Sequence, residues 1–413
     1  MKEIKKEAIL KEWQILLLLA GIQFTHILDF VIIMPLGPRF MEVFQVDPQQ
    51  FGFIVSSYTF SAGIVGILGT SIIDKFDRKA VLNSSYLGFT LGTLLCAISP
   101  NYIYLVLARI VSGAFGGIIG ATVFSIIGDV IPYERRGKAT GVVMSAFSLA
   151  SVAGVPAGLY LASRFEHWSA PFWGLTVLSA IILFFSHFIM PSLNSHLNKE
   201  KKHSPLGVYK TILSETNHLN AFLLIITMMF AGFSVIPFIS PYMVSNVGVT
   251  EQELAYFYML GGGATIVTAR IIGSLADKFG KFQVFSIIAT LSTIPIFLVT
   301  NMGKVSLVYA LIVNTFFFIF VSGRFIPAMA MITAVVKPAN RGGFMSLNSS
   351  FQQLASGVAS IISGWILVKN PDGSLSNYQY VGYFAILSTL VAIFAASRVK
   401  VFEEEKPAVP VSP

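Results

Sequence analysis

Long apolar runs follow one another along almost the whole chain, separated by short breaks that hold charged residues, glycine or proline. A helix that crosses about 30 Å of hydrocarbon needs roughly 20 predominantly apolar residues. Twelve runs meet that length, and we number them spans 1 to 12 in chain order. The predicted spans cover residues 13–37, 51–73, 79–98, 102–129, 139–163, 169–190, 219–243, 252–275, 283–301, 305–335, 343–368 and 380–398.

The composition indicates a chain that folds in lipid. Of the 413 residues, 54% are hydrophobic and 12% are charged, whereas soluble domains carry about 25% charged residues. This balance excludes a soluble enzyme, a nucleic-acid-binding protein and a disordered chain, so we predict an all-α, polytopic membrane protein. The single Cys96 excludes an intrachain disulfide. The sequence shows no cluster of metal ligands and no nucleophile–base pair, so we expect no enzymatic activity, no metal and no cofactor.

The distribution of basic residues predicts the orientation of the chain. The N-terminal segment, the even-numbered connections and the C-terminal tail carry most of the 28 Lys and Arg residues, whereas the odd-numbered connections carry Arg39, Arg164, Lys304 and Lys369. Because basic loops stay on the cytoplasmic side, we expect both termini to be cytoplasmic. Span 1 exceeds the apolar core of a signal peptide and no small-residue cleavage site follows it, so we expect it to remain as a helix.

The sequence repeats itself at long range, which indicates two related halves. Residues 46–76 match residues 249–279 in register at both ends of a span. Both copies begin with helix-start chemistry, Asp47 before Pro48 in the first and a capping box that begins at Thr250 in the second. We therefore predict an N-terminal six-helix bundle at 1–190, a cytoplasmic central loop at 191–217, a C-terminal six-helix bundle at 218–400 and a cytoplasmic tail at 401–413.

Two connecting regions and span 4 carry motifs that resemble those of a known family. The stretch 273–281, Gly-Ser-Leu-Ala-Asp-Lys-Phe-Gly-Lys, is similar to the loop motif A of the major facilitator superfamily. The first-half copy departs from that motif, with Thr70 and Asp77 where glycine is usual. The stretch 109–113, Arg-Ile-Val-Ser-Gly, resembles motif B of the same family.

Span 5 carries a third motif. Gly154, Pro156 and Gly158 form a short version of motif C, which the family associates with antiporters. Together with Trp168 and Pro171, this resembles the bacterial branch of drug and sugar efflux proteins. The resemblance covers nearly the whole chain and implies the major facilitator fold, in which two pseudo-symmetric six-helix bundles hold a substrate site near mid-membrane between them.

A carboxylate inside span 1 is the strongest candidate for chemistry. Asp29 in hydrocarbon costs roughly 3 kcal/mol even on lenient scales, so such a residue usually has a task. At 1.5 Å per residue, Asp29 and Arg109 of span 4 both lie about 10–12 Å below the expected periplasmic surface, and His26 shares the helical face of Asp29. Either these residues couple transport to protons, or Asp29 and Arg109 form a fixed ion pair and His26 binds a nearby hydroxyl or carbonyl.

Polar residues of the second half are candidates for a substrate cavity. Arg324 keeps its charge when it is buried, and it lies three residues before a proline in span 10. It either lines the cavity or binds backbone carbonyls that the proline frees. Asn314 and Gln352, with Asn348 and Gln353, could line the same cavity.

Charged residues at the cytoplasmic ends of spans 2 and 8 suggest a conformational latch. A carboxylate there can face the positive N-terminal dipole of a helix from the other half. The family resemblance implies that Asp74 faces span 11 and Asp277 faces span 5, which would hold the outward-facing state closed on the inside. The remaining members of the latch are Arg78, Asp129, Lys278 and Lys281. The alternative is that these charges only set topology and solubility.

Taken together, these features predict a secondary active transporter in the plasma (inner) membrane of a bacterium. We expect a monomer that exports a small organic molecule, drug-like or a sugar, in exchange for protons by alternating access. Its partners would be that substrate, protons and the lipid bilayer, with no nucleic acid. An uptake symporter for a sugar or other polar metabolite is the second interpretation. A non-transporting receptor or scaffold is the third, and it would leave the buried Asp29 and Arg109 unexplained.

Overall fold

The computed structural model of the protein describes residues 2–73, 75–132, 135–194, 205–337 and 341–400. Most of these residues are helical, and each predicted span is present as a long helix, which confirms the predicted all-α fold. Spans 1 to 12 are Lys2–Ile32, Pro48–Ile73, Arg78–Ala97, Tyr102–Val130, Arg136–Arg164, Ala170–Ile189, Thr216–Val247, Leu254–Phe279, Lys281–Thr300, Leu307–Thr333, Arg341–Ile366 and Tyr378–Arg398.

Span 11 differs from the others in composition. Within the described part of the chain, eleven helices are long and apolar enough to cross a membrane. Span 11 has 26 residues, but serine, asparagine and glutamine make it less apolar than the rest. Several of these polar residues, such as Asn348, Ser356 and Ser360, are buried against neighbouring helices. Protein therefore covers the polar face of this helix, which explains how it fits among apolar spans.

In the described part of the chain, two short helices and one pair of short strands lie between the spans. The helix Gly37–Val43 lies between spans 1 and 2, and the helix Pro205–Ser214 precedes span 7. Between spans 11 and 12, the strands Val368–Lys369 and Leu375–Ser376 pair antiparallel.

Two features of the connecting regions differ from the prediction, and both differences have a local cause. Span 1 ends at Ile32 rather than at residue 37, because a turn that contains Pro35 leads directly into the helix Gly37–Val43. The predicted loop at 191–217 contains the helix Pro205–Ser214. Its Ile212 is fully buried in a cluster with residues of spans 7 and 11, and this packing stabilises a helix that hydropathy alone did not predict.

Prolines interrupt spans 5, 7 and 10. A proline lacks the N–H that would bind the carbonyl four residues earlier, and its ring clashes with that carbonyl. Before Pro156 of span 5, the helix widens into a π-turn at Ala150–Gly154. Span 7 breaks before Pro237, where the carbonyl of Phe233 instead accepts a hydrogen bond from Ser360 Oγ at 3.4 Å. Span 10 breaks at Arg324, just before its proline.

The connections alternate between two faces of the bundle. We call the face with connections 1, 3, 5, 7, 9 and 11 the odd face, and the face with the even-numbered connections the even face. At the odd face, Arg39 forms an ion pair with Glu251 and donates a hydrogen bond to the carbonyl of Ala162 at 2.6 Å. At the even face, Arg135 forms an ion pair with Glu12 at 2.8 Å. This alternation agrees with the predicted topology, while the cytoplasmic position of the even face stays a prediction.

Close helix contacts join the two halves. Span 2 packs on span 11, and a Cβ on Gly52 would lie only 2.8 Å from the carbonyl oxygen of Ser360. Span 8 crosses span 5 at the π-turn, where a Cβ on Gly262 would lie 2.9 Å from Val152 Cγ2. These glycines allow the helix backbones to approach closely, as small residues do in membrane bundles.

Candidate functional site

Asp29 and Arg109 form an ion pair inside the N-terminal bundle. Arg109 Nη1 donates to Asp29 Oδ2 at 2.6 Å and to the backbone carbonyl of Asp29 at 3.3 Å. Thr93 of span 3 donates its hydroxyl to Asp29 Oδ1 at 3.1 Å. All three side chains are fully buried. The structure therefore brings together the two residues that the sequence placed at equal depth, and it adds Thr93.

Tyr58 of span 2 completes the surroundings of Arg109. The guanidinium carbon lies 4.3 Å from the centroid of the Tyr58 ring, a distance at which the ring attracts the cation. Phe30 stacks on Tyr58 with ring centroids 5.4 Å apart, and it contacts Phe233 of span 7 at 5.9 Å. The ion pair is thus separated from the C-terminal bundle by a thin aromatic layer. Neither Tyr58 nor Thr93 is charged, and nothing in the sequence distinguishes them from the other tyrosines and threonines.

His26 lies beside the ion pair without joining it. Neither of its ring nitrogens has a hydrogen-bond partner among the described residues, and the same holds for Gln23 Oε1 and the Tyr58 hydroxyl. Gly116 of span 4 borders these groups, because a Cβ there would lie 2.8 Å from His26 Nε2 and 2.5 Å from the Tyr58 hydroxyl. Spans 1, 2 and 4 therefore enclose several polar atoms that bind nothing in the described part of the chain.

Arg324 lies where span 10 breaks. Its Nη1 donates to Ser292 Oγ of span 9 at 3.1 Å and to Thr389 Oγ1 of span 12 at 2.9 Å. The side chain is fully buried, and its Nε and Nη2 have no hydrogen-bond partner among the described residues. The sequence suggested backbone carbonyls as the alternative partners of Arg324, and the structure provides two hydroxyls instead. A role in lining the substrate cavity stays a prediction.

The candidate amide side chains of the second half lie on spans 10 and 11. Asn314 of span 10 and Asn348 of span 11 are fully buried, and their amide atoms have no hydrogen-bond partner in the described residues. Gln352 and Gln353 are half-buried on span 11. Their predicted contact with substrate stays a prediction.

The latch of the second half is not formed in this structure. Asp277 is exposed and makes no hydrogen bond or ion pair with any described residue of span 5, so the contact predicted for the outward-facing state stays a prediction. Lys278 lies 5.1 Å from the ring of its neighbour Phe279, and Lys281 is half-buried. A helix dipole acts only over about one turn, so this solvated carboxylate gains little from span 5 here.

The first-half network is partly formed. Asp74 lies outside the described residues. Arg78 is buried and its Nε donates to Asp129 Oδ2 of span 4 at 3.3 Å.

Asp77, which replaces a motif A glycine, has a structural task of its own. It caps span 3 by accepting from the backbone N–H of Lys79 at 2.7 Å, and it binds the segment after span 6 through Ser192 and the N–H of Leu193. Burial alone would raise the pKa of Asp77, but hydrogen bonds from Ser192, Leu193, Lys79 and Ala80 lower it below the usual value of 3.8. A glycine at this position could not form these contacts.

The motif C residues bring span 5 close to span 1. A Cβ on Gly154 would lie 2.8 Å from Leu28 Cδ2, and one on Gly158 would lie 2.7 Å from Ile32 Cδ1. Pro156 lies between them and follows the π-turn. The motif therefore shapes the contact between the helix that carries Asp29 and the helix that crosses span 8.

A groove of about 280 Å³ lies apart from these residues, between spans 8 and 10. It is lined by Leu260, Val308, Leu311, Ile312, Thr315 and Phe316. The groove contains none of the candidate residues, and its apolar lining suits contact with lipid.

Long apolar helices in two bundles, with a buried ion pair near their junction, define a multi-pass membrane protein. The chain belongs to the Major Facilitator Superfamily, whose family profile matches residues 19–323 and 221–413. It is accordingly a transporter and not an enzyme. This membership also removes the receptor or scaffold interpretation.

Similar proteins support the same class. The chain is 24% identical over 385 residues to the "Uncharacterized MFS-type transporter YwfA" of Bacillus subtilis (strain 168), covering 91% of this chain and 90% of that protein. It is 22% identical over 362 residues to "Multidrug resistance protein 2" of the same organism, covering 84% and 88%. It is 25% identical over 247 residues to a "Probable sugar efflux transporter" of Pasteurella multocida (strain Pm70), covering 59% of each.

A solved structure shares the fold. The crystal structure of a bacterial homolog to the human lysosomal transporter Spinster, in an inward-facing and unoccupied conformation, matches with a TM-score of 0.72 at 16% identity, over 94% of this chain and 96% of that one.

Proposed function

We propose that the protein exports a small organic molecule, drug-like or a sugar, in exchange for protons by alternating access. The observation that carries this proposal is a carboxylate fully buried in span 1 whose charge is balanced by one arginine. An isolated charge in hydrocarbon is costly. When Arg109 moves away from Asp29, the carboxylate therefore takes up a proton, and when Arg109 returns, the proton is released.

The contacts between the halves support a cycle of two states. At the odd face, the Arg39–Glu251 pair joins the halves, while Asp277 at the even face is exposed and has no hydrogen bond or ion pair with another described residue. We take this as the state closed at the odd face. In the opposite state, Asp277 and Asp74 would face the starts of spans 5 and 11 and close the even face, since helix N-termini attract carboxylates.

The setting follows from the charge distribution and the relatives. We place the transporter in the plasma membrane of a bacterium as a monomer, with the even face and both termini in the cytoplasm, because the basic residues concentrate there. The names of two relatives, a multidrug resistance protein and a sugar efflux transporter, support export of compounds of this kind.

Uptake by proton symport is the second candidate. It is favoured by Asn314 and Asn348, whose buried amides would suit the hydroxyl groups of a polar metabolite brought into the cell. Direction distinguishes the two candidates, because symport moves protons and substrate the same way.

The test uses the purified protein in liposomes that contain a pH-sensitive dye, with the lumen acidic. A panel of drug-like compounds and sugars is added outside, one at a time. Antiport predicts that a substrate enters as luminal protons leave, so the lumen becomes more alkaline. Luminal acidification during substrate entry would support symport, and substrate flux without any proton movement would contradict both.

A further inference from the structure

Arg324 is a cation inside the C-terminal bundle that has no acidic partner among the described residues. The nine-residue helix Phe325–Thr333 follows it and completes span 10, so Arg324 lies about 13 Å from the even end of that span. Its side chain is buried, with 1% of the residue exposed. A buried charge is costly unless an opposite charge lies beside it. The fold therefore favours a negative partner at this position.

The sequence of the C-terminal half provides no acidic residue at this depth. The acidic residues of the predicted bundle at 218–400 are Glu251, Glu253, Asp277 and Asp372. The first two precede span 8, Asp277 lies in the last turn of span 8, and Asp372 lies between the two short strands. All four are thus at the ends of spans or in connections, and the negative partner must come from elsewhere.

The guanidinium of Arg324 has one edge that no described residue uses. Its Nη1 donates to Ser292 Oγ and Thr389 Oγ1, whereas Nε and Nη2 have no hydrogen-bond partner among the described residues. These two nitrogens lie along one edge of the planar group, and their N–H bonds form the fork with which arginine binds anions. Buried polar groups are nearly always hydrogen-bonded. The unused fork therefore indicates a ligand that accepts both bonds.

The two hydroxyls position the guanidinium without neutralising it. Ser292 Oγ donates its own proton to the carbonyl of Ala289 at 2.7 Å, and Thr389 Oγ1 donates to the carbonyl of Ala385 at 2.9 Å. Each hydroxyl oxygen can therefore only accept from Arg324. Spans 9 and 12 hold Nη1 in place in this way and leave the fork and the positive charge to another group.

The backbone adds positive potential at the same place. Span 10 breaks at Arg324, which is the N-cap of the helix Phe325–Thr333. A helix N-terminus carries about half a positive charge and attracts anions. The helix start and the buried fork are independent features, and both favour a negative ligand.

Arg109 of the N-terminal bundle provides a comparison. It also binds through Nη1 alone, and its Nε and Nη2 have no hydrogen-bond partner among the described residues. Its charge, however, is balanced by the Asp29 carboxylate at 2.6 Å, and its guanidinium lies over the ring of Tyr58. Arg324 has no such carboxylate among the described residues.

Close packing limits the size of the ligand. A Cβ on Gly323 would lie only 2.5 Å from Ile272 Cδ1, and Ser292 and Thr389 are fully buried. We propose that Arg324 binds one small monovalent anion, such as chloride, among spans 9, 10 and 12. The anion balances the buried charge and accepts the two bonds of the fork. This site is distinct from the Asp29–Arg109 pair and requires neither proton exchange nor a particular direction of transport.

Thermal unfolding of the full-length protein in detergent tests the proposal. The protein is prepared in sodium gluconate, which is then replaced stepwise by sodium chloride, sodium bromide or sodium benzoate at constant ionic strength. A ligand that binds only the folded state stabilises it in proportion to the logarithm of its concentration above the Kd. We expect the unfolding midpoint to rise by about 2 °C for each tenfold increase in chloride or bromide, and benzoate to have no such effect.

Three variants locate the effect. Arg324→Met removes the fork and should abolish the rise with chloride, whereas Arg270→Met makes the same change at an exposed arginine of span 8 and should keep it. Arg324→Lys keeps the charge but not the fork, so it should need about tenfold more chloride for the same rise. It tests the site even if Arg324→Met folds poorly. The comparison uses the change with chloride within each protein, not the difference in midpoint between proteins.

Four results would overturn the proposal. These are a midpoint of the wild type that does not depend on chloride, an equal rise in Arg324→Met, and a chloride dependence of Arg324→Lys equal to that of the wild type. The fourth is a larger rise with benzoate than with chloride, which would indicate the carboxylate of an organic molecule as the partner of Arg324.

Discussion

Substitution of Asp29 by asparagine separates a proton-coupling role from a purely structural ion pair. The asparagine keeps an oxygen that can accept from Thr93, but it removes the charge that balances Arg109. The guanidinium is fully buried, and Asp29 is its only acidic partner among the described residues. Breaking such a buried pair from one side costs about 3–5 kcal/mol.

A double variant removes this loss of stability without restoring the carboxylate. In Asp29→Asn/Arg109→Gln no charge is left unpaired, so we expect it to recover most of the stability that Asp29→Asn alone loses. Asp372→Asn makes the same chemical change at an exposed position and serves as the control. Thermal unfolding in detergent gives the order of stability of the four proteins.

Transport then separates the two roles. In proteoliposomes, uphill export driven by a proton gradient should be lost in Asp29→Asn and in the double variant, while counterflow exchange should persist in the double variant because it needs no net proton transfer. Asp29→Glu keeps a titratable group and should retain partial activity with an altered pH profile. A stable double variant that still drives uphill export would refute Asp29 as the carrier and direct attention to His26. If Asp29→Asn lost both stability and all transport modes, and the double variant recovered both, Asp29 and Arg109 would be a fixed ion pair.

Four further predictions concern other parts of the molecule. Asp77→Ala should destabilise the protein by about 1 kcal/mol through loss of a helix cap. Because the pKa of Asp77 is lowered in the fold, this stabilisation is present at neutral pH and lost in acid. The difference in unfolding midpoint between variant and wild type should therefore narrow at low pH, and a constant difference would contradict the prediction. Glu251→Gln weakens the partly exposed ion pair with Arg39, which contributes about 0.2–1 kcal/mol. The fraction of molecules that are open at the odd face should therefore rise by up to about fivefold. Unchanged spin-label distances between spans 1 and 7 would refute this. Arg324 is a buried cation that has no acidic partner among the described residues, so Arg324→Met should raise the unfolding midpoint. A lower midpoint would mean that the hydrogen bonds of Arg324 to Ser292 and Thr389 stabilise the fold by more than the burial of its charge costs. A reporter that is active only in the cytoplasm should be active when it is fused after Pro413. Activity of a reporter that works only in the periplasm would contradict the predicted topology.

Some site residues were accessible from the sequence because charge inside an apolar run is rare. Asp29, Arg109 and Arg324 were found in this way, and counting residues along spans 1 and 4 placed the first two at one depth. A search for charged residues could not identify Tyr58 and Thr93, because both are uncharged and uncharged polar residues are common in these helices. Asp77 appeared only as a departure from a motif, and its hydrogen bonds to the segment after span 6 join residues more than a hundred positions apart.

The sequence by itself determined the class of the molecule and the order of its helices. Hydropathy, basic loops and the internal repeat are properties of short stretches, and the membrane converts them directly into spans and alternating connections. The tertiary structure alone decided which side chains meet. It gave Arg324 two hydroxyls as partners, left Asp277 solvated, and buried polar atoms of Gln23 and His26 that have no hydrogen-bond partner among the described residues. Such contacts depend on how helices distant in sequence rotate and pack against one another, and no single stretch of the chain encodes that rotation.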